Sequence, residues 1–398
     1  MSAYVQGFSD ASDSQVAAQT AAQQAHDQLS GAPATGVFAF FTDAHNAEEI
    51  GAGLQRVFAD VPLVGCTVPG VFANDTVTHS GVVVTACADP NLSIEPILVE
   101  GVGANSRTAG NRVAEAVWAH TKDTPESHSL TLLLPDGIQG NSVEVARGVV
   151  DELGSSVQIA GGGSGDDLKF VQAHQLRGST VSTNSALAVS FNAQHPIGVG
   201  LSHGCQPVGP PMVANSVQGK ELKQLDFNSA FDRFQQVATA EITSSDSVTS
   251  ENFMQFAMLH PLGIVQGNDE HVLRSPLFVA EENAISCCSD IPENASVRMM
   301  QGDAESMLEA TRSATRTALA GIGQAEPSAA MIFACVSRDL VLGIDDDGLS
   351  LEIKAMREVL GPDVPIFGSL TFGGFGTLGS STPQYHSKSV NVSIFPKV

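Results

Sequence analysis

Val37-Phe-Ala-Phe-Phe-Thr-Asp43, Leu130-Thr-Leu-Leu-Leu-Pro-Asp136 and Ala330-Met-Ile-Phe-Ala-Cys335 are three apolar runs of strand length, and their reading decides the fold. Each leads into a polar loop, an amphipathic helix and a second apolar run that closes on glycine. The helices are expected over Ala47 to Phe58, Ser142 to Leu153 and Leu349 to Leu360. The closing runs are Val61-Pro-Leu-Val-Gly-Cys66, Val157-Gln-Ile-Ala-Gly161 and Val364-Pro-Ile-Phe-Gly368. The third unit is longer because it carries the acidic loop Asp345-Asp-Asp-Gly348. Further helices are expected before the second and third units, over Arg107 to His120 and Ala304 to Ala320. A strand–helix–strand crossover of this length suits parallel strands. Strands buried on both faces read as continuous apolar runs, as these do. Asp43, Asn141 and Ser350 stand near the helix starts as capping residues.

Between the units the sequence is β-rich. Thr76 to Ala88 reads as paired with Leu92 to Val99, and Val181 to Phe191 with Gly198 to Gly204. Val213 to Val217 reads as a strand, Phe227 to Ala238 as a helix, and His271 to Val279 and Ala284 to Cys288 as strands. The expected class is α/β to α+β: strand–helix–strand units in two related halves, with mixed sheets and helices packed on them. The halves are expected at residues 1–225 and 226–398.

Composition narrows the function. The chain has 398 residues, with 19 basic against 43 acidic side chains and a formal charge of −24. Nucleic acid and anionic membrane surfaces are repelled by such a field. Hydrophobic residues make up 42% of the chain, enough for a sizeable core rather than an acidic disordered tail. No apolar run approaches the roughly 18 residues of a spanning helix, and the polar, alanine-rich start does not read as a signal peptide. Six cysteines without a C-x-x-C pair suit a reducing, cytoplasmic setting. Cys287 and Cys288 are read as ordinary adjacent thiols.

Chemistry is expected at the glycine-rich segments after the closing strands: Gly65 to Gly70, Gly161 to Asp167 and Gly368 to Gly374. Ligands of open α/β sheets lie beyond the carboxyl ends of parallel strands, and glycine turns can form anion-binding nests. No phosphate-loop or dinucleotide fingerprint is present. Asp166 and Asp167 form an acid pair. Cys66 and Cys335 sit at strand ends, where a thiol nucleophile would need a histidine as base. No paired-histidine zinc motif and no serine elbow occurs. In a chain with few bases, Arg338 and Arg274 are candidates to clamp a carboxylate.

These residues resemble those of the FIST family, an N-terminal and a C-terminal FIST domain in tandem. The N-terminal pattern is carried by Val64-Gly-Cys-Thr67, Asp136-Gly137, Gly161-Gly-Gly-Ser-Gly-Asp-Asp167 and Gly204-Cys-Gln-Pro-Val-Gly209. The C-terminal pattern is carried by His260-Pro-Leu-Gly263, Leu273-Arg274, Ile332-Phe-Ala-Cys-Val-Ser-Arg338, Phe367-Gly-Ser-Leu-Thr-Phe-Gly373 and His386. The resemblance implies a cytoplasmic sensory protein. It would bind a small molecule, amino-acid-like or another metabolite, in a cleft between its domains and signal through a separate protein such as a histidine kinase. The implied ligand-binding set is Cys66, Thr67, Asp136, Gly162, Gly163, Asp166, Asp167, Arg274, Arg338, Thr371, Gly373 and His386. No cofactor is expected, with haem on His386 as the exception to test, because some relatives resemble haem-based gas sensors. The alternative is a hydrolase or transferase using Cys66 or Cys335 with His386. Where the family usually has a Gly-Glu pair, this chain has Gly70-Val71 and Gly373-Gly374, so the ligand here is expected to differ.

Overall fold

The computed structural model describes residues 3–124, 127–242, 248–343, 348–379 and 382–397. Three segments repeat one plan. The first runs β1 (Tyr4–Ser9), α1 (Ser14–Gln28), β2 (Gly36–Phe41), α2 (Ala47–Gln55), β3 (Leu63–Thr67), the hairpin β4 (Val71–Ala73) and β5 (Thr76–Thr78), then β6 (Val82–Cys87). The second runs β7 (Leu92–Glu100), α3 (Ser106–Thr121), β8 (His128–Pro135), α4 (Ser142–Leu153), β9 (Ile159–Gly163), the hairpin β10 (Gln175–Arg177) and β11 (Thr180–Ser182), then β12 (Ser185–Ala193).

The third opens with β13 (Gly198–Ser202) and is interrupted by an inserted body with its own sheet. That insertion comprises β14 (Gln206–Gln218), β15 (Glu221–Leu225), β16 (Asn228–Ser229), α5 (Ala230–Glu241), α6 (Phe253–Leu259), β17 (Leu262–Val265), β18 (His271–Arg274), β19 (Pro276–Val279), β20 (Ile285–Cys287) and β21 (Ser296–Gln301). The third segment resumes with α7 (Ala304–Gly321), β22 (Pro327–Cys335), α8 (Val336–Leu342), α9 (Gly348–Leu360), β23 (Ile366–Gly376), β24 (Gln384–His386) and β25 (Val390–Pro396).

The strand orders are β1-β6-β2-β3, β7-β12-β8-β9 and β13-β25-β22-β23, the same permutation each time. The parallel crossovers read from the sequence are β2·β3, β8·β9 and β22·β23. Each unit's third strand would end in a bare edge, and another unit covers it. β10 pairs with β3, the second half of β23 pairs with β9, and β4 pairs with the first half of β23. The three contacts close a ring.

Side chains alternate accordingly. Phe38 and Phe40 of β2, Leu132 and Leu134 of β8, and Met331 and Phe333 of β22 meet in one inner core. Phe40 packs edge-on against Phe333 at 5.7 Å, and Phe38 lies 5.8 Å from Phe191 and 6.1 Å from Phe367. The intervening residues face the helices: Val37, Ala39 and Phe41 pack on α1 and α2, Leu133 on α3 and α4, and Ile332 on α7 and α9. Burial on both faces is why the runs show no polar alternation.

Several expectations are corrected. Thr76 to Ala88 does not pair with Leu92 to Val99: β6 lies between β1 and β2, and β7 pairs with β12. Likewise β13 pairs with β25, not with the Val181 to Phe191 strand. Asn141 caps α4 as expected. Asn46, not Asp43, caps α2, and Asp43 instead pairs with Lys169 at 2.7 Å. Ser350 lies inside α9. Asp345 to Asp347 lie outside the described residues.

The closing glycines are not turn residues but strand interiors. Gly65, Gly161 and Gly368 stand opposite Ala39, Leu133 and Ile332 across the parallel pairs. A Cβ there would lie 2.5, 2.2 and 1.8 Å from those residues' carbonyl oxygens. Gly161 and Gly368 also hold φ of +113° and +149°. Gly161→Val should therefore destabilise the protein by ~3 kcal/mol or more, from overpacking plus backbone strain. Gly267→Ala, with open space around it and no positive φ, should cost only about 0.5 kcal/mol or less. Urea unfolding of both variants with unchanged slope checks the contrast.

Candidate functional site

A cavity of about 290 Å³ lies where the second unit, the third unit and the insertion meet. The carboxyl end of β8 supplies Gly137 and Ile138. The end of β22 and start of α8 supply Cys335, Val336 and Ser337. Phe372 and Gly373 of β23, with Tyr385 and Ser387, form another wall. The insertion closes the space with Lys220, Met258, Leu277, Phe278 and the Ser286–Cys288 segment. Leu168 and Phe170 complete the rim. The walls are mainly apolar with a few hydroxyls and thiols, the usual character of a small-molecule site.

Asp166 builds that rim rather than lining it. Its carboxylate accepts the backbone N–H groups of Phe170, Val171 and Gln172 at 2.9, 2.7 and 3.2 Å. The loop it clamps holds Leu168 and Phe170 at φ of +55° each, a strained setting for such residues. The clamp places the Phe170 ring 5.2 Å from Phe372. Asp136 acts similarly beneath the floor. It accepts from the N–H groups of Ile138 and Gln139, both at 2.9 Å, and from Asn184 at 3.0 Å. Both aspartates, buried and taken by backbone donors, stabilise turns.

Of the residues singled out in the sequence, Gly373 and Cys335 line the cavity. Cys335 Sγ lies 3.1 Å from Ser337 Oγ. Gly373 holds φ of +75°, and a Cβ there would strike the Tyr385 ring. Gly162 pairs with Gly374 and Gly163 with Phe372, so these glycines form a strand ladder and not an anion nest. Thr371 is buried and pairs with Cys335 across β22·β23. Asp167 is exposed.

Cys66 and Thr67 sit at the other junction, between the first and second units. Thr67 Oγ1 accepts the N–H of His174 at 2.8 Å, and burial pushes the Cys66 thiol up, away from the thiolate. That junction is filled by Gln175, which donates to Ser164 Oγ at 2.6 Å and accepts from Ser185 Oγ at 2.7 Å.

Arg338 is not available to a ligand. It is fully buried, and its Nε pairs with Glu352 at 2.7 Å while Nη2 donates to Met307 O and Thr311 Oγ1 at 2.8 and 2.9 Å. Arg274 lies behind the Tyr385 wall. Its Nε donates to Asp290 O at 2.8 Å, and Nη1 to the carbonyls of Leu273 and Tyr385 at 2.9 and 3.0 Å. Its guanidinium stands 5.7 Å from the Tyr385 ring centroid. His386 is fully enclosed, with both ring nitrogens unpartnered, and desolvation lowers its pKa to about 3. It does not line the cavity, so neither thiol chemistry nor haem ligation finds an accessible imidazole nitrogen there.

Sequence reasoning missed Lys388. It is completely buried, holds φ of +53°, and donates from Nζ to Ser337 O at 3.0 Å, directly behind the cavity wall. Among the described residues no carboxylate forms an ion pair with it. Desolvation lowers its pKa to about 8. A buried, strained, uncompensated lysine is the kind of group that marks a functional site. The only sequence signal was a lysine inside an otherwise uncharged stretch, Ser387 to Phe395.

The chain matches the FIST N domain over residues 35–227 and the FIST C domain over 230–377. Uncharacterized proteins from two strains of Mycobacterium tuberculosis, CDC 1551 / Oshkosh and H37Rv, are each 21% identical over 395 residues, 98% of either chain. Among solved structures, a chorismatase is similar at 9% identity and a TM-score of 0.35, covering 100% of this chain and 99% of that one. Thermotoga maritima PurL complexed with FGAR is similar at 12% identity and a TM-score of 0.25, covering 99% and 72%.

Lys388 makes a pH prediction with a definite sign. Its folded pKa is depressed, so between about pH 8 and the ordinary lysine value the unfolded chain binds more protons, and this group's contribution rises with pH. Over that window it amounts to roughly 3 kcal/mol. The buried thiols act oppositely above pH 9, so the readout is a difference. Lys388→Met should unfold at higher urea than the wild type at pH 7, and the gap should close by pH 10.5. A gap that is absent or constant with pH would contradict the assignment.

Proposed function

Because the chain belongs to the FIST family, whose domains are sensory and of a small-ligand-binding type, we propose that it binds a small metabolite in the cavity between its FIST N and FIST C domains. The observation that carries this reading is the composition of the walls. Gly137, Ile138, Leu168 and Phe170 come from the N-terminal match, and Cys335 to Ser337, Phe372 and Tyr385 from the C-terminal match or just beyond it. A ligand touching all of them would couple the two domains. Such an occupant adds a binding free energy that favours the joined arrangement over any alternative.

The same cavity offers a route for the signal. Ser337 lies in the first turn of α8, and α8 is tied to two other elements. Arg338 bonds Glu352 of α9, and the buried Asp339 carboxylate meets His79 of the first unit at 3.2 Å. Occupancy at Ser337 therefore bears on contacts that reach a different face of the molecule. We assign the readout to a separate signalling protein, a histidine kinase being one kind, and the setting to the cytoplasm. Six free cysteines support a reducing compartment, and among the described residues no helix is long and apolar enough to cross a membrane.

Of the three cysteines on the cavity wall, Cys287, Cys288 and Cys335, two make occupancy measurable. Cys335 and the half-buried Cys288 should be alkylated by a small reagent in the empty protein and protected by a bound metabolite. Leu277→Trp, which projects a larger ring from β19 into the cavity, should abolish protection while leaving the thermal midpoint nearly unchanged. Protection that survives in Leu277→Trp would place the ligand elsewhere.

A further inference from the structure

The cavity is free of acids in a chain dominated by them. None of its wall residues is Asp or Glu, although the whole protein carries 43 acidic against 19 basic side chains. Cations, by contrast, gather around it. Lys220 lies on the wall, at the turn between β14 and β15, with Nζ held only by Gly140 O at 3.3 Å. Lys388 sits behind Ser337, and Arg274 behind Tyr385. All three donate to carbonyl oxygens, and among the described residues none of the three forms an ion pair with a carboxylate. The acid nearest Arg274, Asp290, accepts from Asn141 Nδ2 at 2.9 Å and meets the guanidinium through its main-chain carbonyl instead.

Burying a cation without a counter-charge is costly. Two such groups are completely or almost completely buried here, Lys388 at 0% and Arg274 at 2% exposure. A single negative charge entering the cavity would interact favourably with both, and with Lys220, across a low-dielectric wall where such interactions are strong. The rest of the cavity asks for the opposite chemistry. Phe372, Phe170, Met258, Leu277 and Val336 offer apolar contact and no acceptor for an ammonium group. An amino acid would bring its ammonium into a space lacking any carboxylate and ringed by positive charge.

We propose that the ligand is a small monocarboxylate with an aromatic or branched aliphatic body and no ammonium group. Its carboxylate faces the Ser337–Ser387 wall and Lys220, and its apolar body lies against Phe372 and Phe170. This deepens the cavity reading and rests on it. The neighbouring hydroxyls of Ser337, Ser387 and Ser275 supply donors for the carboxylate oxygens.

The test is calorimetric titration of the full chain with two matched sets: hydrocinnamate, hydrocinnamamide and free phenylalanine; and isocaproate, isocaproamide and free leucine. Protection of Cys335 and Cys288 from alkylation is read in parallel. At least one acid should bind about tenfold or more tighter than both its amide and its amino-acid counterpart. Lys220→Met should weaken that acid several-fold and leave the amide unchanged. If an amide or an amino acid protects the thiols as well as the acid does, the cavity reading stands and the charge assignment falls. The assignment falls likewise if Lys220→Met weakens acid and amide equally. If no compound of either set binds or protects the thiols, the monocarboxylate assignment is overturned. The cavity reading then faces its separate check with Leu277→Trp and cell-derived metabolites.

Discussion

A four-stranded unit has two edge strands, and an edge presents a row of unpaired N–H and C=O groups that another strand can meet. In this protein the β3, β9 and β23 edges are each met by the hairpin arm of a different unit, and these three contacts close on themselves. The inner core then has no exposed face. Phe38, Phe40, Phe333 and Phe367 come from different units yet pack as one aromatic cluster. The parallel pair inside each unit fixes the glycines. Gly65, Gly161 and Gly368 sit where the neighbouring strand's carbonyl comes too close for any side chain, so one residue type recurs once per unit for a steric reason.

The three junctions made by closure are equivalent in plan and different in content. Between the first and second units, Gln175 bonds to both Ser164 and Ser185. The junction between the second and third is different. The insertion between β13 and α7 reaches across with Lys220, Met258, Leu277 and Cys288 and encloses a cavity instead. The candidate site is thus a junction covered by an insertion. That position explains why its walls are drawn from nine separated stretches of chain.

The same origin sets what could be read from the sequence. The repeat was legible because burial on both faces writes itself as an uninterrupted apolar run, and helices α3, α4 and α7 followed from their periodicity. Strand neighbours were not legible: β6 and β7 are adjacent in sequence but belong to different units, and ring closure rather than chain proximity chose their partners. The glycine-rich segments were misjudged as loops because glycine permits both a turn and a close carbonyl approach, and only the register distinguishes them. Arg338 was visible as a rare base near a strand end, but Glu352, which occupies it, lies a helix away. Lys388 gave almost no signal, since a buried lysine and an exposed one are the same letter.

Lys388 and Arg338 show how two buried cations in one region can have opposite meanings. Arg338 is matched: a carboxylate, a carbonyl and a hydroxyl satisfy its fork, and the pair pins α8 to α9. Removing either partner would leave a buried charge alone, which is costly, so this pair reads as structural. Lys388 is unmatched and is bonded to the carbonyl of the very residue, Ser337, whose other side faces the cavity. The fold therefore tolerates an unfavourable electrostatic position behind the wall of this cavity while neutralising the charge of Arg338, the residue next to Ser337. Stability alone would favour a neutral side chain at position 388. On the proposal of an anionic ligand, that cost is offset when a carboxylate in the cavity faces Lys388 across the Ser337 wall.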